Sequence, residues 1–221
     1  MKIQWLNGFS SPVVPKPPDW SVDQQITGYW FLDAPPDWQA SAALIQFLRN
    51  GPPPFYIGFG SMIHHQPQRQ RDLVLRALEL SDARSVLVTG WGGSGEHIPA
   101  PNRFVIDDAP HDWLLPQMAA VVHHGGAGTT AAALRAGVPN VITPFAPNDQ
   151  PAWAARVVAL EVGIRLPAIK RLTAQRLADA MRKAMDDDTL RTHAAALGQK
   201  IHAEAGVQRA VAIIERHVMQ M

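Results

Sequence analysis

Between Pro52 and Pro167 short apolar runs alternate with amphipathic segments, and that alternation organises the chain. The runs "FYIGFG" (55–60), "RSVLVTG" (84–90), "RFVID" (103–107), "AVVHH" (120–124), "NVITPF" (140–145) and "GIRLP" (163–167) have strand length and many β-branched or aromatic residues. They predict strands. Helical spacing falls between them, near Gln68 to Leu80, over "HDWLLPQM" (111–118), from Thr129 to Arg135 and near Pro151 to Leu160. Strands separated by helices pair in parallel through crossovers, so the expected fold is α/β, a doubly wound parallel sheet. Ligands of such sheets lie beyond the carboxyl ends of the strands, which makes the residues just after each run the candidates for chemistry.

The flanks differ. Pro12, Pro15, Pro17, Pro18, Pro35 and Pro36 leave the first 50 residues little regular structure beyond a strand-like "QITGYW" (25–30) and a short helix, the composition of a linker. Its rings, Trp5, Trp20, Tyr29, Trp30 and Trp38, call for a surface to bury against. After Thr173 the chain turns helical in three segments, with Thr173 and Thr189 as expected caps. The last segment carries Val207, Ala210, Val211, Ile213, Ile214 and Val218, an apolar face without an evident neighbour.

Composition narrows the partners. The 221 residues, 47% hydrophobic, suffice for one large core, and 20 Lys plus Arg against 19 Asp plus Glu give +1. So small a charge creates no field for nucleic acid or an anionic membrane, and points to a small-molecule partner. The absence of cysteine removes disulfides, thiolate nucleophiles and zinc–thiolate sites, and fits a reducing compartment. The start lacks the apolar core and cleavage pattern of a secretory signal, and no run reaches the roughly 18 apolar residues of a spanning helix. The expected location is cytoplasmic.

Two glycine turns compete for an anion. "GWGGSG", with Gly90, Gly92 and Gly95, fits a dinucleotide fingerprint as a string, but "EHIPAPNRF" follows with two prolines and cannot open the helix a pyrophosphate needs. "HHGGAGTTAAALRAG" (123–137) does supply strand, glycine turn and helix, ended by Gly137 before Pro139. Backbone there can approach a phosphate, and the helix start favours its charge, so a diphosphate is expected; a tight turn with no ligand is the rival reading. Ser61, after the first core strand, stands at the same sheet edge and can donate to phosphate or simply cap a helix.

His123 and His124 point to opposite faces of a strand and cannot share a metal; one faces the cleft as a donor to the diphosphate and the other makes a core hydrogen bond. His64 and His65 read as solvated loop residues. Asp149 and Gln150 follow the fifth core strand with acceptors and donors suited to vicinal hydroxyls, or serve as a helix N-cap pair. The Asp186–Asp188 run reads as a solvated helix terminus, and no metal is expected.

The ordered blocks "GFSSPVVPKPPDW", "TGYWFLD", "FYIGFGSM", "DDAPHDWLLP", "HHGGAGTTAAALRAGVPNVITPF" and "NDQPAWAARV" resemble the UDP-dependent glycosyltransferases of GT-B fold, and among them the sterol 3-beta-glucosyltransferases and their bacterial relatives. The resemblance covers only the carboxyl-terminal, donor-binding half. It implies that His124, Gly126, Gly128 and Thr129 bind the diphosphate with Ser61 assisting, that Asp149 and Gln150 read the sugar, and that the Ala109-Pro110-His111 turn receives the uracil. Two departures stand out: the base-stacking tryptophan of plant members is replaced in the Asp107-Asp108 segment, leaving Trp91 or Trp113 to stack, and their ribose-binding glutamate falls at Ala132.

By that resemblance residues 1–50 are an interdomain linker, 51–205 a Rossmann-like nucleotide-sugar domain and 206–221 a helix packing on the amino-terminal half. The expected function is an inverting, metal-independent transfer of a hexose, glucose from UDP-glucose, to a lipid or sterol-like hydroxyl. No cofactor beyond that donor is implied, no catalytic residue lies in this half, the general base belongs to the acceptor half, and membrane contact comes only through a lipid acceptor. Two rivals are a nucleotide-sugar module inactive alone and an epimerase or hydrolase of similar fold; the latter lacks a convincing carboxylate pair.

Overall fold

The computed structural model describes residues 4–60, 67–88 and 100–219. Ser61, His64, His65, Gly90, Trp91, Gly92 and Gly95 lie outside them.

Six parallel strands form the central sheet: β3 (Phe55–Gly58), β4 (Ser85–Val88), β5 (Arg103–Ile106), β6 (Ala120–His123), β7 (Asn140–Ile142) and β8 (Gly163–Arg165). Their spatial order is β5-β4-β3-β6-β7-β8. The chain therefore winds outward from β3 to one edge, returns to β6 at the centre and winds to the other edge. The reversal opens a crevice at the carboxyl ends of β3 and β6, where Gly58 is in register with His123.

Each strand reads as its side-chain period dictates. Phe55 and Ile57 of β3 enter a core with Val74 of α2 (Pro67–Ser81) and Met181 of α6 (Ala174–Asp186). Tyr56, between them, points to the opposite face, with Leu44 of α1 (Ala42–Arg49), Leu114 of α3 (His111–Leu114) and Ala133 of α4 (Ala127–Ala136). A third cluster joins Leu134, Ile142 and Val157 of α5 (Gln150–Ala159) to Leu197 of α7 (Asp188–His202). Sheet covered on both faces is what all-apolar strand runs require.

Thr173 caps α6, its hydroxyl accepting from the Arg176 N–H. Thr189, the other expected cap, lies inside α7. Asp187 caps that helix instead, accepting from the Leu190 N–H at 3.0 Å, because a carboxylate two residues earlier already reaches the first free amides.

The proline-rich segment is stitched to the domain. It contains a strand pair: β1 (Trp5–Asn7), absent from the sequence reading, lies alongside β2 (Gln24–Ile26), which overlaps only the start of the strand expected over 25–30 because Gly28 turns the backbone to φ +101°. Val13 is fully buried in the third cluster, the Arg156 guanidinium donates to its carbonyl, and Phe9 packs on Trp153 with centroids 6.0 Å apart. Trp5 and Trp30 remain more than half exposed.

The final helix, α8 (Gly206–Met219), touches the proline-rich segment at its first residue: a Cβ on Gly206 would stand 2.2 Å from the Tyr29 carbonyl oxygen. Along its length Val207, Val211, Ile214 and Val218 form an exposed apolar stripe. No helix among the described residues is long and apolar enough to cross a membrane.

Candidate functional site

The adjacent histidines at the end of β6 have separate surroundings. His123 is completely buried. Its Nε2 lies 2.9 Å from Asn140 Oδ1, and its Nδ1 accepts from the Gly125 N–H at 3.2 Å. Since the Asn140 amide nitrogen donates to the Val138 carbonyl, Asn140 presents its oxygen to the ring, and the neutral Nε2–H tautomer follows. His123 is thus the core histidine, holding the turn at Gly125.

Burial drives the His123 pKa from 6.5 down to about 3, against the pull of the Asn140 hydrogen bond. The unfolded chain takes up a proton below about 6.5 that the fold excludes. The stabilisation is complete above that pH and is lost as pH falls toward 3, at up to about 1.4 kcal/mol per unit. Denaturant unfolding at pH 7 and 4.5 is therefore expected to cost the wild type roughly 2 kcal/mol more than His123→Gln. Equal losses would show that this ring does not carry the dependence.

His124 is only partly buried and faces the crevice. Its ring lies against Gly60 after β3 and over Gly126, where a Cβ would come within 2.5 Å of Nε2. Phe145, beyond β7, flanks it at 6.1 Å between ring centroids.

Gly126 is the N-cap of α4 and supplies no capping side chain. The first backbone bond of the helix runs from the Thr130 N–H to the Gly126 carbonyl, so the amides of Ala127, Gly128 and Thr129 precede the ladder. The space where a Gly128 Cβ would project is clear to 4 Å. A start of this kind, positive by its dipole and open above the backbone, has the chemistry to accept a negatively charged group.

A cavity of about 800 Å³ lies alongside, with Gly128, Thr129 and Ala132 on one wall and Pro110 and His111 on another. Ala109, buried, sets that turn at the start of α3. His111 Nε2 lies 3.3 Å from the Tyr56 hydroxyl. Burial lowers the His111 pKa, against the pull of Asp108 and Asp112, and raises that of Tyr56 to about 12. Both rings are therefore neutral near pH 7 and offer hydrogen bonds rather than charge.

The sugar-side candidates divide. Gln150 is buried, its Oε1 accepting from the Phe145 and Ala146 N–H groups at 2.7 and 3.0 Å. That oxygen shapes the loop after β7. Asp149 is exposed, is the N-cap residue without capping through its side chain, and accepts from the Trp153 indole at 3.0 Å. The pair adjoins the glycine turn, since a Cβ on Gly125 would lie 3.2 Å from the Gln150 carbonyl oxygen.

Trp113, one of two residues considered for base stacking, packs on Trp38 at 5.0 Å and lines a smaller cavity away from α4. Asp188 of the acidic run pairs with Arg191, and among the described residues no group of three or more metal-binding side chains gathers.

The sequence reading missed the outer wall of the large cavity, a strap from Trp30 to Pro35. Asp33 pairs with Arg135 at 2.6 Å, the Ala34 N–H donates to Asp112 Oδ2 at 2.9 Å, and the Arg135 guanidinium lies 4.6 Å from the Phe31 ring. The only trace of this in the sequence is one carboxylate set in the apolar stretch "YWFLDAPP".

Comparison with known proteins gives consistent results. A sterol 3-beta-glucosyltransferase of Arabidopsis thaliana is 39% identical over 212 residues, 95% of this chain and 33% of the relative. One from Cryptococcus neoformans is 38% identical over 240 residues, 97% of this chain and 15% of the relative. The chain thus spans a third or less of the length of these relatives. The crystal structure of the glycotransferase of kitacinnamycin superposes with a TM-score of 0.77 at 28% identity, covering 96% of this chain and 54% of that one. The calicheamicin glycosyltransferase CalG4, at 20% identity, shares the fold with a TM-score of 0.79, covering 100% of this chain and 53% of that one. The model of the "erythromycin biosynthesis protein CIII-like, C-terminal domain" matches residues 74–216, from within α2 into α8. With five of the six sheet strands, the glycine turn and most of the helices inside that match, the chain belongs to this family and is the carboxyl-terminal domain of a GT-B glycosyltransferase.

Proposed function

We propose that this domain holds the donor, UDP-glucose, for an inverting, metal-independent transfer of glucose to the hydroxyl of a sterol or similar lipid. The observation that carries the reading is the uncapped start of α4 at the sheet's reversal point, open above Gly128 and flanked by His124. In this reading the amides of Gly128 and Thr129 and the His124 ring meet the diphosphate. Asp149 meets the glucose hydroxyls from a loop that Gln150 shapes, and the uracil enters beside Ala109 and His111. Ser61 and Trp91 belong to the same assignment. The sterol comes from the named activity of the relatives.

The chemistry of this half is electrostatic. As the bond from sugar C1 to phosphate oxygen breaks, negative charge gathers on the leaving diphosphate, and donors already aimed there stabilise it more than they stabilise the bound donor. The acceptor hydroxyl loses its proton to a base in the acceptor half, so transfer needs both halves. A second reading, a nucleotide-sugar module that works with a separate acceptor-binding chain, is favoured by the uncovered apolar stripe on α8; restored transfer on mixing with such a chain distinguishes it.

Calorimetric titration of the domain tests the donor assignment. UDP and UDP-glucose are expected to bind, with uridine weaker by at least about 100-fold, the worth of two charge-assisted hydrogen bonds. UDP-galactose reports on Asp149. Equal affinity for UDP and uridine would sink the role of the helix start.

A further inference from the structure

Asp33 has no part in the readings above, yet it is the best placed acceptor in the large cavity. It sits on the strap opposite Gly128, Thr129 and Ala132. Its position is fixed from both sides, by the 2.6 Å pair with Arg135 and by the Ala34 N–H donated to Asp112. Pinned as it is, its side chain remains 64% exposed. Only Oδ1 faces Arg135, leaving Oδ2 available to a ligand. Among the described residues lining the cavity, the other carboxylate is Asp112, one of whose oxygens already accepts from the strap.

The position matches a definite chemistry. With a diphosphate on the start of α4 and the nucleoside directed into the cavity, the sugar next to it meets the cavity wall about one helical turn further on, about 5.4 Å, at Ala132, with Arg135 nearly another turn beyond on the same wall. That sugar is a pentose with two neighbouring hydroxyls. A carboxylate is the side chain best suited to accept from both, through charge-assisted hydrogen bonds. A bare carboxylate would repel a nearby diphosphate, but Arg135 balances its charge and holds it in one orientation. The methyl group of Ala132 leaves the intervening space open.

We propose that Asp33, held by Arg135, reads the ribose diol of the donor nucleotide and so selects ribonucleotides over deoxyribonucleotides. This rests on the placement of the diphosphate at α4. It assigns to the strap a direct part in donor recognition.

The test compares UDP with 2′,3′-dideoxyuridine diphosphate by calorimetry on the wild-type chain, Asp33→Ala and the isosteric Asp33→Asn. The wild type should prefer UDP by about 10- to 100-fold. In Asp33→Ala the preference should fall to within about twofold, entirely through weaker UDP binding; Asp33→Asn should retain part of it. A preference that survives in Asp33→Ala, or an equal loss for both nucleotides, would overturn the role of Asp33 and leave the diphosphate site standing. Failure of both nucleotides to bind the wild type would remove the α4 site and this proposal together.

Discussion

Replacing His124 with alanine, in the enzyme completed by its acceptor half, should lower turnover by about 100- to 1000-fold while weakening UDP binding far less. The asymmetry follows from geometry. The ring rests over Gly126 and against Gly60, beside the open first turn of α4, where the leaving group's charge would develop. A donor fixed there contributes most when the charge is greatest, so its loss appears in turnover rather than in affinity. The measurement is a comparison of kcat with the dissociation constant of UDP. Turnover within a few-fold of wild type would refute the assignment, and equal losses in both would make His124 a simple binding residue.

Gly125→Ala should cost about 3 kcal/mol of stability and lower the melting temperature by roughly 6 to 12 °C. Gly125 has φ +90°, a conformation that side chains resist. An added Cβ would also stand 2.8 Å from Ile142 Cγ2 and 3.2 Å from the Gln150 carbonyl oxygen. One neighbour is a fully buried side chain and the other is backbone, so neither yields cheaply. Because the Gly125 N–H also donates to His123, the strain would spread to the start of α4, and nucleotide binding should fall with stability. A thermal unfolding curve that superposes on wild type would mean that this turn relaxes without cost.

The parallel sheet could be read from the sequence because its strands are short apolar runs with helical spacing between them, a local signal. The opposite facing of His123 and His124 was equally local, following from the strand period. Which ring faces the crevice was not, for it depends on Asn140, seventeen residues on. Gln150 illustrates a different limit. A carboxamide can read hydroxyls or organise a loop, and only its burial, with Oε1 on two backbone amides, shows that the oxygen serves the loop. The strap left no more than a lone carboxylate in an apolar stretch as its local signal. Its defining pair, Asp33 and Arg135, joins residues 102 apart, and nothing in either local stretch announces the other.

The crossing of Gly28 and Gly206 has a mechanical consequence. With the Gly206 Cα 3.1 Å from where a Gly28 Cβ would stand, the two segments touch backbone to backbone, and neither can slide without pushing the other. Gly28 lies two residues before Trp30, the first residue of the cavity's outer wall. Any body that seats itself on the apolar stripe of α8 and shifts the start of that helix would therefore press on the segment that leads into the outer wall of the large cavity.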